Sequence, residues 1–347
     1  MKVIITGGAG FIGSNAANRY LSKGNEVVVL DNLSRPGATQ NLEWLRAHKG
    51  FHFLQIDVTD ARAVEYAINL HRDCDLVLHL AAQVAVTRSV SDPRLDFQVN
   101  AVGTFNLLEA LRSAGLMIPF FYASTNKVYG AMEGVTVEEE KGSYRYQNLP
   151  FGVSEDQCLD FHSPYGCSKG AADQYVLDYA RIYGLPTVVF RQSCIYGCRQ
   201  FGVEDQGWVA WFVIAAEMGL PITVYGNGNQ VRDILFVDDL LAAYDAALER
   251  IGTTAGRVYN IGGGPDNAIA VCELLQFLRT QRGDLKYRHE GWRPGDQRIY
   301  ISDIRRARAE LGWQPSVGWE KGLDLLIRWV RSNKELFLEV HGCAYFR

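Results

Sequence analysis

Lys2-Val3-Ile4-Ile5-Thr6-Gly7-Gly8-Ala9-Gly10-Phe11-Ile12-Gly13 decides how this chain folds. An apolar run short enough for one strand breaks into glycines, and from Ser14 to Lys23 a helical pattern follows. In a strand, glycine turn and helix of this kind, the first glycine permits a tight turn. The second lets a pyrophosphate approach the backbone, the third lets the helix pack closely, and the helix N-terminus presents N–H groups and a partial positive charge. Gly7, Gly10, Phe11, Ile12 and Gly13 are therefore the expected cradle of a dinucleotide. A second apolar run, Glu26 to Leu30, ends in Asp31 and Asn32, with Asp31 lying 18 residues after Gly13. A carboxylate there accepts hydrogen bonds from the adenosine ribose and repels a 2′-phosphate, which favours NAD over NADP. Arg35, close by, leaves a phosphate partner open.

The alternation continues along the chain. Phe51 to Ile56 leads to Asp57-Val58, Leu76 to Leu80 to Ala81-Ala82, and Pro119 to Ala123 to Ser124-Thr125, with helical segments between. This implies an α/β fold, a doubly wound parallel Rossmann sheet whose ligands lie at the carboxyl ends of its strands. Asp57 and Val58 are expected at the adenine, and Leu80, Ala81 and Ala82 where the backbone passes the cofactor. Gln83 and Thr87 follow in the same loop and could face cofactor or substrate. Asn100, inside a helical stretch, reads equally as a structural or a functional amide. Residues 1–190 are expected to form the dinucleotide domain, with 257–263 returning to its sheet. Residues 191–337 read mainly as a smaller α/β substrate domain, and 338–347 match no motif.

Several segments carry local expectations. Residues 131–161 are polar and turn-rich and read as a surface lid or entrance loop, with Glu138, Glu139 and Glu140 as a solvated face. Gly207 to Phe212 starts an amphipathic helix, and Ile222 to Tyr225 followed by Gln230 to Asp233 read as strand, turn and strand. Asp238 and Asp239 precede a helix that they could cap.

Ser163-Pro164-Tyr165-Gly166-Cys167-Ser168-Lys169-Gly170 carries the chemistry. With Pro164 opening a helix, Tyr165 and Lys169 project from one face of its first turn. A phenol with an ordinary pKa of ~10 is a poor base at neutral pH, and an ammonium beside it favours the phenolate. The pair is commonplace alone and gains meaning from a hydride acceptor built beside it. Thr125, at a strand end, could hold a substrate oxygen while Tyr165 takes the proton. Arg232 and Arg293 suit a diphosphate, because guanidinium forks match phosphate oxygens bidentately.

The totals narrow the class further. A net charge of −4 with the signs interspersed presents no basic face for nucleic acid or an anionic membrane, so small molecules are the expected partners. Seven cysteines without a Cys-x-x-Cys pair signal neither a disulfide framework nor a thiolate metal site, and the chain reads as cytoplasmic. No run of about 18 apolar residues occurs, so no membrane span is expected.

With the glycine loop, Asp31, Asp57, Ala81-Ala82, Thr125, Tyr165-x-x-x-Lys169 and Tyr196-Gly197 in order, the chain resembles the extended short-chain dehydrogenase/reductases that act on nucleotide-activated sugars. Ser124 to Gly130, Ser163 to Tyr175, and Arg199-Gln200-Phe201 with Asp205-Gln206-Gly207-Trp208 look most like the branch that epimerises CDP-hexoses at C2. Sugar-nucleotide 4,6-dehydratases of the same family carry an acid pair where this chain has Asn126-Lys127. The resemblance implies that NAD stays bound, that Tyr165 removes a hydroxyl proton, and that a keto sugar turns and takes hydride on its other face. It further implies that Lys169 lowers the tyrosine pKa and holds the nicotinamide ribose, that Thr125 orients the hydroxyl, and that Arg232 and Arg293 hold the diphosphate. Asn126 and Cys194 would line the sugar pocket, Cys194 replacing an asparagine common in relatives. A homodimer through the Tyr165 helix is implied as well. A UDP- or GDP-hexose 4-epimerase and an NAD-binding sensor without turnover remain open alternatives.

Overall fold

The computed structural model describes residues 1–341 except 141, 294 and 295. The strands β1 (Lys2–Thr6), β2 (Glu26–Asp31), β3 (Phe51–Gln55), β4 (Leu76–His79) and β5 (Phe120–Thr125) belong to one seven-stranded parallel sheet. Thr187–Gln192 pairs with β5 and Arg257–Ile261 closes that edge, giving the order Arg257–Ile261, Thr187–Gln192, β5, β4, β1, β2, β3. Helices cover both faces, so β1, β2 and β4 read as unbroken apolar runs and are buried on both sides. Val3 and Ile5 face one layer with Ala16 and Ala17, while Ile4 faces the other with Val64, Leu107 and Val176. Strand order reverses between β1 and β4, with Thr6 in register with His79, which opens a crevice beyond those two residues.

The C-terminal elements share the sheet's core: Tyr244, Phe236 and Leu326 belong to the cluster that holds Val3 and Val27. Three local readings change here. The helix Trp208–Met218 is buried on every side from Val209 to Glu217, because the helices Val271–Arg282 and Trp319–Ser332 pack over what would have been its polar face. Its one charge, Glu217, is met by Arg331 at 3.0 Å. Ile222–Tyr225 and Val231–Phe236 do form strands, but they do not pair with each other. The first runs parallel to Tyr287–Glu290, and the second joins Cys194–Tyr196, Ala268–Ala270 and Ile299–Tyr300.

The excursion over 131–161 contains an antiparallel hairpin, Val137–Glu140 with Ser143–Tyr146. Its alternation turns Val137, Tyr144 and Tyr146 onto Val231 and Ile299, while Glu138 and Glu139 stay exposed. Asp238 and Asp239 lie in the first turn of the helix Val237–Glu249, where Asp239 is buried and binds Ser316 and the Val317 N–H. The segment 338–341 ends the helix Lys334–His341, and 342–347 lie outside the described residues.

Phe337 anchors that last helix: it is fully buried, with its ring 5.3 Å from Phe201 and 5.4 Å from Trp329. Phe337→Ala is expected to cost ~3–5 kcal/mol, read as a fall in the urea unfolding midpoint. An unchanged midpoint would show that the helix is not docked as described.

Candidate active site

The glycine loop is built for a backbone-lined ligand. Gly7 has φ +66°, and a Cβ there would stand 2.7 Å from the Ala81 nitrogen; on Gly13 it would stand 2.1 Å from the Gly7 carbonyl oxygen. Gly10 caps the helix Phe11–Ser22 in extended conformation, with no side chain on its first-turn N–H groups and no acid in that turn. Phe11 and Ile12 therefore open a helix whose positive end faces the crevice. Asp31 closes the loop from behind: Oδ2 accepts from the Ala9 N–H at 3.0 Å and Oδ1 from Leu33 at 2.8 Å. Burial pushes its carboxyl up while those N–H groups pull it down. Asn32 donates to Asp57 at 2.8 Å. Burial raises the Asp57 carboxyl, but bonds from Thr59 and Asn32 outweigh it and hold it below the usual range. Val58 lies against Gly103, and Leu80 and Ala81 donate to the Thr6 hydroxyl, each at 3.2 Å. The donor set and the absence of room for side chains fit a dinucleotide pyrophosphate and an adenosine ribose. Arg35 is occupied by Gln206 Oε1 at 2.6 Å.

Two expected contact residues turn inward. Gln83 donates from Nε2 to Asp96 at 2.8 Å and to the Ala85 carbonyl at 2.9 Å, and its Oε1 accepts from the Ala85 N–H at 2.8 Å. Asn100, in the π-turn Gln98–Val102, clasps the Gln83 backbone from both sides: Oδ1 accepts its N–H at 2.9 Å and Nδ2 donates to its carbonyl at 3.0 Å. These two amides hold the loop after Ala82, which is a structural task. Thr87 is half-buried in the short helix Val86–Ser91.

Thr125, Tyr165 and Lys169 come together at the end of β5. Thr125 caps the 3-10 turn Asn126–Tyr129, accepting from the Lys127 N–H at 3.2 Å, and its hydroxyl lies 3.3 Å from Asn126 Oδ1. Pro164 opens the helix Ser163–Tyr183 and brings the Tyr165 phenol near Thr125. Burial, opposed by the nearby Thr125 hydroxyl, leaves the phenol pushed up to about 12. Lys169 departs from the expected arrangement. Its ammonium donates to the Ala123 carbonyl at 2.6 Å and lies 4.2 Å from the centre of the Tyr122 ring. Burial pushes Lys169 down to about 7, opposed by Asp173 and Asp96.

Beside this cluster opens a cavity of about 460 Å³, lined by Lys127, Met132, Tyr146, Ser163, Gln297 and Arg298 among others. Lys127 Nζ lies 3.4 Å from Gln297 Oε1, and burial followed by the nearby Arg232 charge pushes it down to about 8. Arg232 acts on Lys127 and on half-buried Cys194, and its guanidinium donates to the Val231 and Gln297 carbonyls at 2.8 and 2.6 Å. Arg293 is engaged elsewhere, 3.6 Å above the Tyr225 ring and 3.1 Å from the Glu204 carbonyl. Gln297 and Asp96 carried no signal in sequence, since their partners stand as far as 170 and 72 residues away.

A parallel sheet reversing at a glycine loop, with a Thr-Tyr-Lys cluster one strand away, defines a dinucleotide-fold protein equipped for proton transfer. Residues 4–326 match the GDP-mannose 4,6 dehydratase family, and the chain belongs to that family, among the extended short-chain dehydrogenase/reductases. It is 44% identical to a CDP-paratose 2-epimerase of Salmonella typhi over 96% of this chain and 100% of the relative. It is 32% identical to dTDP-glucose 4,6-dehydratase 1 of Escherichia coli, over 99% of this chain and 97% of that one. The solved structure of a Thermotoga maritima UDP-glucose 4-epimerase with UDP-glucose superposes with a TM-score of 0.82, at 32% identity, covering 96% of this chain and all of that one.

Gly13→Ala must push on the Gly7–Gly8 backbone, so NAD+ binding measured by titration calorimetry is expected to weaken at least about tenfold. Gly134→Ala, where a Cβ meets nothing within 4 Å, is the matched control and should bind as the parent does. Equal binding by all three proteins would remove the glycine loop from the ligand site.

Proposed function

We propose that this protein is an NAD-dependent epimerase that inverts C2 of a CDP-activated hexose through a transient keto sugar. The observation that carries the chemistry is the placement of the Tyr165 phenol near Thr125, with Lys169 one turn on in the same helix, at the strand end beside the glycine loop. The choice of carbon and nucleotide rests on the likeness to the Salmonella 2-epimerase. Dehydration is disfavoured by the residues after Thr125: an amide and an amine stand at Asn126 and Lys127, where removal of water needs a carboxyl acid or base.

Gly7, Gly10, Phe11, Ile12, Gly13, Asp31, Asn32, Asp57, Val58, Ala81 and Ala82 would hold NAD, which supplies the hydride acceptor and donor when bound. Thr125 orients the reacting hydroxyl by a hydrogen bond. Tyr165, as the phenolate, takes the hydroxyl proton as the carbonyl forms and returns it when the carbonyl is reduced. Lys169, half-protonated near neutral pH, supplies a positive charge on the same helix face. Asn126, Cys194 and Arg232 border the space left for sugar and diphosphate.

Purified protein with CDP-glucose in deuterated water is expected to yield the manno epimer with protium retained at C2, followed by proton NMR. Deuterium at C2 would overturn the mechanism in favour of enolisation, and a galacto product would assign a 4-epimerase. Tyr165→Phe is expected to lower kcat by roughly 10²–10⁴-fold with NAD binding unchanged. Loss of NAD binding alongside turnover would assign the phenol a role in holding the cofactor.

A cytoplasmic homodimer completes the reading. Phe105, Tyr175, Ile182 and Tyr183 are exposed on the helices Gly103–Ser113 and Ser163–Tyr183, with Phe105 edge-on to Tyr175 at 5.9 Å. Such a patch suits a second copy. Light scattering should give twice the 38.8 kDa chain mass, and Tyr175→Glu with Ile182→Glu should give the monomer. A parent that is itself monomeric would reject the dimer. The six free cysteines among the described residues suit a reducing compartment, and none of the described helices is long and apolar enough to cross a membrane.

A further inference from the structure

Asp96 is a fully buried carboxylate to which the mechanism above gives no role. It sits in the short helix Pro93–Phe97, packed against the helix Ser163–Tyr183. Three neutral side chains hold it. The Ser168 hydroxyl donates to Oδ2 at 2.5 Å, and Gln83 and Asn100 donate to Oδ1 at 2.8 and 3.1 Å. Among the described residues no lysine, arginine or histidine forms a salt bridge with it, although its charge acts on Lys169. The neighbouring buried carboxylate is different: Asp173 is met by Arg191 through two contacts of 3.0 Å and by the Ser124 hydroxyl at 2.7 Å. A charge buried among neutral donors alone is expensive unless its field acts on something.

Its field reaches the reacting groups. Asp96 favours the protonated form of Tyr165, Lys169 and Tyr122 alike. Around Lys169 stand Asp173 on its own helix, the Tyr122 ring on β5 and, on β4, His79, whose imidazole burial and the Lys169 charge keep neutral. Of these only Asp96 and Asp173 are anionic, and Asp173 already answers to Arg191. The covalent neighbour of Lys169 is Ser168, which carries the 2.5 Å bond to Asp96 and lies 3.2 Å from the Tyr165 carbonyl.

We propose that Asp96 is a positioning residue for the Tyr165–Lys169 pair: its hydrogen bonds tie the first turn of that helix to the loop at Gln83, and its buried carboxylate shares with Asp173 the balancing of the Lys169 ammonium. This rests on the acid–base role given above to Tyr165 and Lys169. A neutral residue in its place leaves the ammonium with burial and with Asp173 alone, which Arg191 also faces. Both members of the pair then release their protons at lower pH, so the sign does not depend on which one limits the rate.

The test uses the ligand-free protein with ¹³C at the lysine ε-carbons, the Lys169 signal being assigned by its loss in Lys169→Met. In the parent it is expected to titrate near pH 7. In Asp96→Asn the midpoint is expected to fall by roughly one pH unit. Ser168→Ala removes a hydrogen bond but keeps the charge, and should leave the midpoint near the parent's. Asp96→Ser, also neutral, takes the same comparison if the asparagine variant does not fold. In the epimerase assay, the limb of the pH–rate profile set by the pair should move to lower pH in Asp96→Asn. A midpoint unmoved by the neutral variants, or moved equally by Ser168→Ala, would overturn the proposal. Because the titration needs no substrate, a protein that fails to epimerise CDP-glucose overturns the functional reading and leaves the titration to decide the role of Asp96.

Discussion

Gly7 and Ala81 meet where the strand order of the sheet reverses, backbone against backbone, with no space for a Cβ between them. The candidate site depends on that approach. Thr6 secures it from inside: its hydroxyl accepts from the Leu80 and Ala81 N–H groups and binds His79 Nδ1 at 2.6 Å. His79 Nε2 lies 2.9 Å from the Thr104 hydroxyl, which donates to the Asn100 carbonyl at 2.6 Å. Burial, reinforced by the Lys169 charge, pushes His79 down to about 3, so the ring is neutral. Only one proton arrangement then satisfies the line. Thr104 spends its hydrogen on Asn100 and must accept from Nε2, which leaves Nδ1 to accept from Thr6.

The same line carries the glycine loop's position to the proton-transfer cluster. Asn100 holds the loop at Gln83 and shares its amide with Ser168 at 3.1 Å, next to Lys169. An uninterrupted α-helix would repeat every 3.6 residues. The π-turn Gln98–Val102 widens one turn and is where the buried Asn100 departs from the helix's regular facing. Buried polar groups are costly when partly satisfied and rigid when fully satisfied. Here Thr6, His79, Thr104, Asn100, Gln83, Asp96 and Ser168 all have partners, so strands β1 and β4 and the Tyr165 helix are set against one another by side chains as well as by packing.

Much of this was legible in the sequence because the signals are local. The glycine loop, Asp31 at the end of the next strand and Tyr165 four residues before Lys169 follow from spacing along one element or one turn. What was not legible depends on distant partners. Gln83 and Asn100 were expected to be candidates for ligand contact, because a polar residue beside a cofactor loop looks the same whether it faces the ligand or the interior. The polar face expected for the helix Trp208–Met218 does not exist, since two helices from beyond residue 270 cover it. Ile222–Tyr225 and Val231–Phe236 read as neighbours because only a short turn separates them, yet each finds a better edge in a strand far along the chain.

The Tyr165–Lys169 pair shows why spacing alone misleads about mechanism. Four residues apart on one face, the two groups were expected to exchange influence directly, ammonium on phenol. In the folded chain Lys169 is drawn down to the Ala123 carbonyl and the Tyr122 face, and burial favours the uncharged form of each group. Burial holds the Tyr165 phenol at about 12, with its proton on. A phenolate beside an ammonium holds the same number of protons as a phenol beside an amine. The choice between them is made by whatever polar or charged groups fill the crevice. The fold fixes where the phenol oxygen and the ammonium nitrogen stand, and the charges and polar groups around them decide which of the two proton placements is held.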